Sequence, residues 1–273
     1  MATHHMIIVY TITLSIRACI VPSVILLLTT FLTPLSVQAH NLPKLKIVTE
    51  NLVPFQIQQP SGDLSGLSVE VIEKMFQALT ITPDIRIMPW ARAYEIAKKE
   101  ANVLIFSIAR TPHRNLMFHW VGCITDEQFS FWGLKKNYDN KEYSITQLKQ
   151  HKIAVSRHSN AEQYTIDNQF ENITRLVQED QNMQMLFSAR VDLIVATELT
   201  VKHRAKKLGY NYQALTKVHN ANGLNNNLCI ALSLGSDPIW IQRLTSQYQQ
   251  LEEKGVIDNL RKKWLSDKAH HSP

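Results

Sequence analysis

The chain has 273 residues, with 29 Lys and Arg against 23 Asp and Glu, and a formal net charge of +6. The basic residues are scattered in short runs without interleaved aromatic residues, which excludes a typical nucleic-acid-binding surface. The eleven histidines form no metal-binding cluster, so we predict neither a metal site nor a cofactor. A modest positive charge suits the capture of small anions or zwitterions.

Residues 1–39 are typical of a secretory signal peptide. They contain no Asp, Glu or Lys and one Arg, Arg17, which precedes a long apolar run and a small-x-small pattern that ends at Ala39. We therefore predict cleavage after Ala39 and a periplasmic protein, with an uncleaved membrane anchor as the alternative. The remaining residues, 40–273, carry a net charge of +5 and could form one large domain or two of about 100–120 residues.

Strand and helix patterns alternate in the first part of the mature chain. The predicted strands are 45–49, 84–88 and 102–107, and the predicted helices are 69–79 and 90–100. A β-α-β-α-β series predicts a mainly parallel sheet with helices on both faces.

The second part repeats this plan. We predict strands at 128–134, 152–156, 191–197 and 228–234, and helices at 144–150, 159–169, 179–189, 198–209, 237–255 and 256–265. A polar loop is predicted at 220–227. The stretches AKKEANVLIFS and FSARVDLIVAT each combine a helix end, a tight turn and an apolar strand, which indicates two similar α/β units.

The stretch SIARTPHRNLMFHW, residues 107–120, contains an unusual arginine. Thr111 and Pro112 are typical of a helix start, which places Arg114 in the first turn, where the helix dipole disfavours a cation. One explanation is a surface helix that tolerates the arginine. The other is that Arg114 and the helix terminus bind the same anion.

Four stretches together resemble the periplasmic solute-binding proteins of family 3, the polar amino-acid-binding group of ABC importers. They are TENLVPFQIQQPSGDLSGLSVEVIEKM, RTPHRNLMF, SARVDLIVATE and LEEKGVIDNLRKKWL, and they occur in the family's order. The resemblance covers essentially all of residues 44–265.

The resemblance implies a two-lobed clamshell of type II, an α/β fold in which each lobe is a mixed sheet flanked by helices. Lobe one would comprise 40–123 and 229–273, and lobe two 124–228, with two crossing strands as the hinge. Ligand would bind in the cleft at the carboxyl ends of strands, and closure around it would be the functional output.

The implied function is the binding of a small, amino-acid-like solute with a carboxylate, for delivery to a membrane ABC permease. We expect a monomer that is not an enzyme. One alternative is a ligand-sensing partner of a membrane receptor. The other is a cleft enzyme such as a dehydratase, for which Glu50 or Glu198 would be the acid.

The resemblance assigns the carboxylate clamp to Arg114, whose planar guanidinium matches a carboxylate. The helix start at Ser159 and Asn160 would add backbone N–H donors to the same group. Three further residues have two possible roles each. Ser107 could donate to ligand or to backbone, Trp90 could stack on ligand or pack in the core, and Glu50 could bind a ligand cation or cap a helix.

The chain departs from the family pattern at Thr197, where an aspartate usually pairs with the ligand ammonium, and at Leu52, where an aromatic residue is usual. Glu198 is adjacent to Thr197 and could replace the aspartate. Because no acid is evident at position 197, we predict that ligands without an α-ammonium bind comparably to common amino acids or better.

Cys123 and Cys229 are the two cysteines of the mature chain. In the implied fold they flank the two crossing strands, which run side by side. We therefore predict a disulfide beside the hinge. The alternative is that both are small buried residues that never meet.

Overall fold

The computed structural model describes residues 42–138, 143–224 and 226–265. The predicted signal peptide lies outside the described residues. None of the helices in the described ranges is long and apolar enough to cross a membrane.

The first of two five-stranded sheets has the strand order β4-β1-β5-β12-β6. Its strands are β1 (Lys46–Thr49), β4 (Ile85–Ile87), β5 (Val103–Ala109), β6 (Phe118–Glu127) and β12 (Asn226–Ser233). Strand β1 pairs in parallel with β4 and β5, whereas β12 runs antiparallel to both β5 and β6. A small hairpin of β2 (Ile57–Gln58) and β3 (Leu64–Ser65) precedes the first helix.

Four helices accompany this sheet: α1 (Leu67–Gln77), α2 (Trp90–Lys99), α7 (Pro238–Glu253) and α8 (Val256–Leu265). Every residue of β5 is buried, as expected for a central strand whose two faces are both covered. The helical periodicity of 69–79 predicted the inward face of α1 correctly, because Val69, Ile72, Met75 and Phe76 are buried.

The second sheet has the order β11-β7-β10-β8-β9. Its strands are β7 (Phe129–Leu134), β8 (Ile153–Ser156), β9 (Ile173–Leu176), β10 (Leu193–Thr197) and β11 (Leu215–Asn220). The helices between them are α3 (Ile145–Leu148), α4 (Asn160–Asp167), α5 (Glu179–Phe187) and α6 (Glu198–Lys207). Strands β8, β9 and β10 are mutually parallel, and β7 is antiparallel to both of its neighbours.

Strands β6 and β12 form the two-strand connection between the sheets. Their pairing continues to Glu127 and Asn226, and β7 of the second sheet starts at Phe129. The hydroxyl of Tyr248 donates to the Cys123 carbonyl, and its ring occupies the space beside Gly122, where any Cβ would collide with it. Helix α7 therefore packs against the two-strand connection formed by β6 and β12.

Cys123 and Cys229 face each other in the β6–β12 ladder, and the structure joins them by a disulfide. Their Cα atoms are 3.8 Å apart, closer than is usual for a disulfide. The bond links the two crossing strands directly.

The predicted fold class is confirmed, because two mixed sheets flanked by helices are joined by two crossing strands. Some elements were not predicted. The sequence analysis missed strands β2, β3, β6, β9 and β11, and the predicted loop at 220–227 is shorter because β12 begins at Asn226. The predicted helix after Thr111 is a single 3₁₀ turn, Pro112–Arg114. The proposed lobe boundaries remain a prediction.

Candidate ligand-binding site

A cavity of about 60 Å³ lies between the two sheets, and elements of both lobes line it. All seven residues proposed from the sequence line this cavity: Glu50, Trp90, Ser107, Arg114, Ser159, Asn160 and Thr197. Its other walls come from residues that were not proposed as site residues: Leu52, Ala109, Phe129, Ala161, Glu179, Val195, Ala196, Thr200 and Leu228. The cavity is several times larger than the space that one ordered water needs.

Arg114 is a buried cation in this cavity, with only 4% of its surface exposed. The turn that holds it is capped by Thr111, whose hydroxyl accepts from the Arg114 N–H. A three-residue 3₁₀ turn has little dipole. The predicted repulsion between a helix dipole and the Arg114 cation is therefore wrong. Burial makes the stronger case, because a buried charge is costly unless it is paired.

The guanidinium of Arg114 contacts backbone carbonyls and an aromatic ring. Nη1 donates to the Ala109 carbonyl at 3.1 Å and Nη2 to the His158 carbonyl at 2.7 Å, while the group lies 4.9 Å from the Tyr94 ring centre. Burial lowers the pKa of Arg114 from its ordinary value, and Tyr94 and Glu50 oppose this shift. An arginine nevertheless stays protonated. Within the described chain, no carboxylate lies within ion-pair distance of Arg114.

His158 joins the two lobes at this point. It has a left-handed backbone, with φ of 59°, and its carbonyl accepts both from Arg114 and from Trp90 Nε1, at 2.9 Å in the latter case. Its ring also stacks on Tyr94 at 6.0 Å. The indole N–H of Trp90 is therefore already engaged, and what it offers to the cavity is its apolar surface.

Ser107 occupies a β-bulge at the cavity. Its neighbours Phe106 and Ile108 pair with successive residues of β12, so Ser107 has no partner there, and its φ of 56° is unusual for a residue other than glycine. The backbone alternative is wrong for its hydroxyl, which bonds to the side chains of Gln56 and Ser68, both at 2.8 Å, and its role toward a ligand stays a prediction. Its proton goes to Gln56, so the hydroxyl has none to donate to a ligand.

Ser159 and Asn160 begin α4 on the opposite wall. The Ser159 hydroxyl caps the helix by accepting from the Glu162 N–H at 3.0 Å. Asn160 Oδ1 accepts from the Ala161 N–H at 2.9 Å, but the buried Asn160 Nδ2 has no hydrogen-bond partner among the described residues. A buried amide donor without a partner in a cavity that also holds Arg114 favours an anionic ligand group.

Glu50 follows β1 and brings an acidic group to the cavity that holds Arg114. Burial and the neighbouring Glu179 raise its pKa to about 8, although Arg204 and Arg114 counteract them. Among the described residues, none makes a hydrogen bond or ion pair with the Glu50 carboxyl. The predicted helix-capping role is therefore not seen, and the carboxyl is available to a ligand.

Glu179 was missed by the sequence analysis. It begins α5, lines the cavity, and accepts from Arg204 Nη1 at 3.0 Å. Arg204 also donates to Asp180 at 3.1 Å, and Lys207 contacts Asp180 at 2.6 Å. The signal was present in the sequence, an acid at a strand exit, but the strand before it, β9, was not recognised.

Thr197 lines the cavity and also caps α6, because its hydroxyl accepts from the Thr200 N–H at 3.2 Å. Glu198 does not replace the missing aspartate. It lies outside the cavity lining, where it pairs with Lys202 at 2.7 Å and accepts from Tyr212 at 3.1 Å. The cavity holds two acids elsewhere, since Glu50 and Glu179 both line it, and the selectivity expected from Thr197 stays a prediction.

Arg110 does not line the cavity, and it forms no ion pair with an acid among the described residues. Its Nε donates to Asn115 Oδ1 at 3.0 Å and its guanidinium lies over Trp120. Across the described ranges, no group of three or more His, Cys, Asp and Glu is arranged to hold a metal ion.

Two helix-flanked sheets, two crossing strands and a polar cavity lined from both lobes define a two-lobed periplasmic-binding-protein fold. Residues 45–132 match the bacterial extracellular solute-binding proteins, family 3, and the predicted resemblance to this family is confirmed. No curated protein is similar to the chain in sequence.

Solved structures share the fold at low sequence identity. A histidine kinase sensor domain with similarity to periplasmic binding proteins has a TM-score of 0.71 at 14% identity, over 82% of this chain and 96% of that one. An arginine-bound ABC-transporter substrate-binding protein from Streptococcus pneumoniae has 0.67 at 18%, over 79% and 92%. An ancestral amino-acid-binding protein, a precursor of cyclohexadienyl dehydratase, has 0.67 at 18%, over 81% and 95%.

Proposed function

We propose that this protein binds a small, amino-acid-like solute through a carboxylate group in the cleft between its lobes. The observation that carries the proposal is Arg114, a buried guanidinium that contacts carbonyls and aromatic rings and forms no ion pair with any carboxylate in the described part of the chain. A carboxylate placed beside it would form charge-assisted hydrogen bonds, and the unpartnered Nδ2 of Asn160 would add another donor. The amino-acid-binding proteins among the structural neighbours support the same ligand class.

Closure of the cleft is part of this proposal. Lobe one would comprise 40–123 and 229–273 and lobe two 124–228, moving about the β6–β12 connection. The His158 carbonyl already bridges the lobes through Arg114 and Trp90, so the contacts of the closed cleft converge on the group that would bind the ligand.

The physiological partner in this proposal is a membrane ABC permease, and the compartment is the periplasm. The extracellular family description and the ABC-transporter neighbours support it. The sensor-domain neighbour favours the alternative, a ligand-sensing partner of a membrane receptor. Uptake of labelled solute by cells with and without the gene distinguishes transport from sensing. Deleting the gene lowers uptake if the protein delivers solute to a permease and leaves uptake unchanged if the protein only senses it.

The enzyme alternative has one observation in its favour. Glu50 is a cleft acid with a raised pKa, as a general acid would require, and one structural neighbour is a dehydratase precursor. We favour binding because the carboxyl of Glu50 has an equally direct role as a partner for a ligand cation. Recovery of an unchanged ligand after prolonged incubation with the protein supports binding, whereas release of a dehydrated product supports catalysis.

A thermal-shift screen of purified 40–273 against amino acids, polyamines and organic acids tests the ligand class. Ligand that binds only the folded state raises the apparent stability, by about 2.7 kcal/mol at one hundred times Kd. We expect shifts from carboxylates and none from polyamines. A shift from polyamines alone would contradict the carboxylate clamp.

A further inference from the structure

The bulge at Ser107 lies directly before the segment that contacts Arg114. Phe106 and Ile108 pair with successive residues of β12, so Ser107 is the extra residue of β5. Two residues later, the Ala109 carbonyl accepts from Arg114 Nη1 at 3.1 Å. Because successive backbone groups of a strand point in alternate directions, the extra residue decides where the Ala109 carbonyl points.

The backbone of Ser107 needs support from its surroundings, because its φ of 56° is unfavourable for a residue with a Cβ atom. Its hydroxyl donates to Gln56 Oε1 and bonds to Ser68 Oγ, both at 2.8 Å. The Thr49 hydroxyl donates to the carbonyl of Phe106, the residue before the bulge, at 3.0 Å. Three segments around the first sheet therefore hold the bulge: β1, the loop that follows it, and α1.

The burial of Gln56 destabilises the folded chain. None of its surface is exposed, and its Nε2 has no hydrogen-bond partner among the described residues. A leucine of similar size would fill the same space without an unpaired amide. Neither Gln56 nor Ser68 is among the described residues that line the cavity, whereas Ser107 is. The route from Gln56 to the cavity therefore runs through Ser107.

We propose that Gln56 is a positioning residue for the guanidinium of Arg114, and that it acts through the bulge at Ser107. The Gln56 side chain holds the Ser107 hydroxyl, the hydroxyl holds the left-handed backbone, and the bulge places the Ala109 carbonyl beside Arg114. The inference rests on the proposed function, because it takes Arg114 as the group that binds the ligand carboxylate.

Side-chain NMR of the unliganded protein tests the positioning directly. The Nη protons of Arg114 should exchange with water more slowly than those of a solvated arginine, because they are bonded to the carbonyls of Ala109 and His158. We expect Gln56→Leu to speed this exchange roughly three- to tenfold, which corresponds to the loss of about one hydrogen bond. Unchanged exchange at Arg114 in a folded Gln56→Leu protein would overturn the proposal.

Two controls show that the effect is specific. Arg204 is the internal control, since its guanidinium is held by carboxylates and should keep its exchange rate in Gln56→Leu. Gln77→Leu is the matched variant, an exposed glutamine of α1 that accepts from Lys74 and does not line the cavity. It should leave the exchange of Arg114 unchanged. Equal acceleration at Arg114 and Arg204 would mean general loosening of the fold and would also overturn the proposal.

A pair of variants at position 107 tests the route and does not depend on the folding of Gln56→Leu. Ser107→Ala removes the hydroxyl and keeps the strain of a Cβ at positive φ, whereas Ser107→Gly removes both. We expect faster Arg114 exchange in the alanine variant than in the glycine variant. In the Ser107→Gly background, adding Gln56→Leu should have no further effect. Equal exchange in the alanine and glycine variants would overturn the route through the bulge.

Calorimetry with L-glutamine, a carboxylate probe with a neutral side chain, separates this inference from the proposed function. Faster exchange at Arg114 together with weaker L-glutamine binding in Gln56→Leu supports both. Faster exchange with unchanged binding supports the positioning role and contradicts Arg114 as the carboxylate clamp. Weaker binding with unchanged exchange overturns the positioning role and leaves the clamp standing. The exchange measurement on the empty protein decides the positioning role whether or not L-glutamine binds.

Discussion

Arg114 and Arg204 are both buried arginines, with 4% and 8% of their surfaces exposed, yet their surroundings differ. Arg204 is held by the carboxylates of Glu179 and Asp180, as expected of a structural ion pair. Arg114 donates to the backbone carbonyls of Ala109 and His158 and lies against aromatic rings, and no carboxylate in the described part of the chain forms an ion pair with it. The comparison teaches that burial alone does not identify a binding arginine. The absence of an ion pair with a carboxylate of the described chain is what distinguishes the candidate binding arginine, Arg114.

Reducing the disulfide should have the largest effect and should affect both arginines alike, because the bond closes a loop with a sequence separation of 106 residues around the second sheet. The chain-entropy model gives up to about 4–5 kcal/mol for such a loop. We expect a lower Tm in reductant, with ligand affinity retained while the protein is folded. Two reactive thiols in the oxidised, denatured protein would contradict the bond.

Arg204→Met sharpens the comparison by removing the paired arginine. It leaves Glu179 and Asp180 with reduced compensation, and we expect a loss of about 3 kcal/mol, the low end for a broken buried pair, because both acids are partly exposed. Denaturant unfolding measures it. Arg114→Met is the matched control, for which we expect the smaller loss of stability; the reverse order would break the distinction between the two sites.

The pH dependence of stability tests the environment of Glu50. Its folded pKa is raised, so between about pH 4.5 and pH 8 the folded chain keeps a proton that the unfolded chain loses. The contribution of Glu50 to stability is therefore highest below this window and falls as pH rises through it. We expect Glu50→Gln to melt on the order of 10 °C higher than wild type at pH 8 and no higher at pH 4.5. A constant difference would exclude the shift.

Thr197→Ala should have the smallest effect. It removes the N-cap of α6 and should cost about 1 kcal/mol of stability. Thr197→Ser keeps the capping hydroxyl without adding a charge, so its stability should stay nearer to wild type. Thermal unfolding of the two variants side by side isolates the capping hydroxyl, and equal losses would contradict the capping role.

The sequence predicted the fold because its central strands are continuous apolar runs. Strand β5 is buried along its whole length, and so is β10. Two of the missed strands, β9 and β11, are edge strands of the second sheet, where burial is partial, and the missed β6 is an edge strand of the first sheet. In β11 a register shift between Lys217 and His219 also breaks the alternation that reveals a strand.

The candidate site was predictable where motifs mark it, as at Arg114 and at the cap formed by Ser159. Features that depend on tertiary contacts were not. The Ser107 hydroxyl bonds to Gln56, 51 residues away, and Glu179 approaches Glu50 from the other lobe. No local pattern encodes either approach.

Calorimetry on Arg114→Ala, with a carboxylate ligand found by the thermal-shift screen, tests the central claim most directly. Removing the charge-assisted bonds should cost about 2–5 kcal/mol, which weakens binding roughly 30-fold or more. Arg114→Lys should recover only part of the affinity, because an ammonium lacks the planar fork. Circular dichroism confirms that both variants are folded. Unchanged affinity in a folded Arg114→Ala protein would contradict the account.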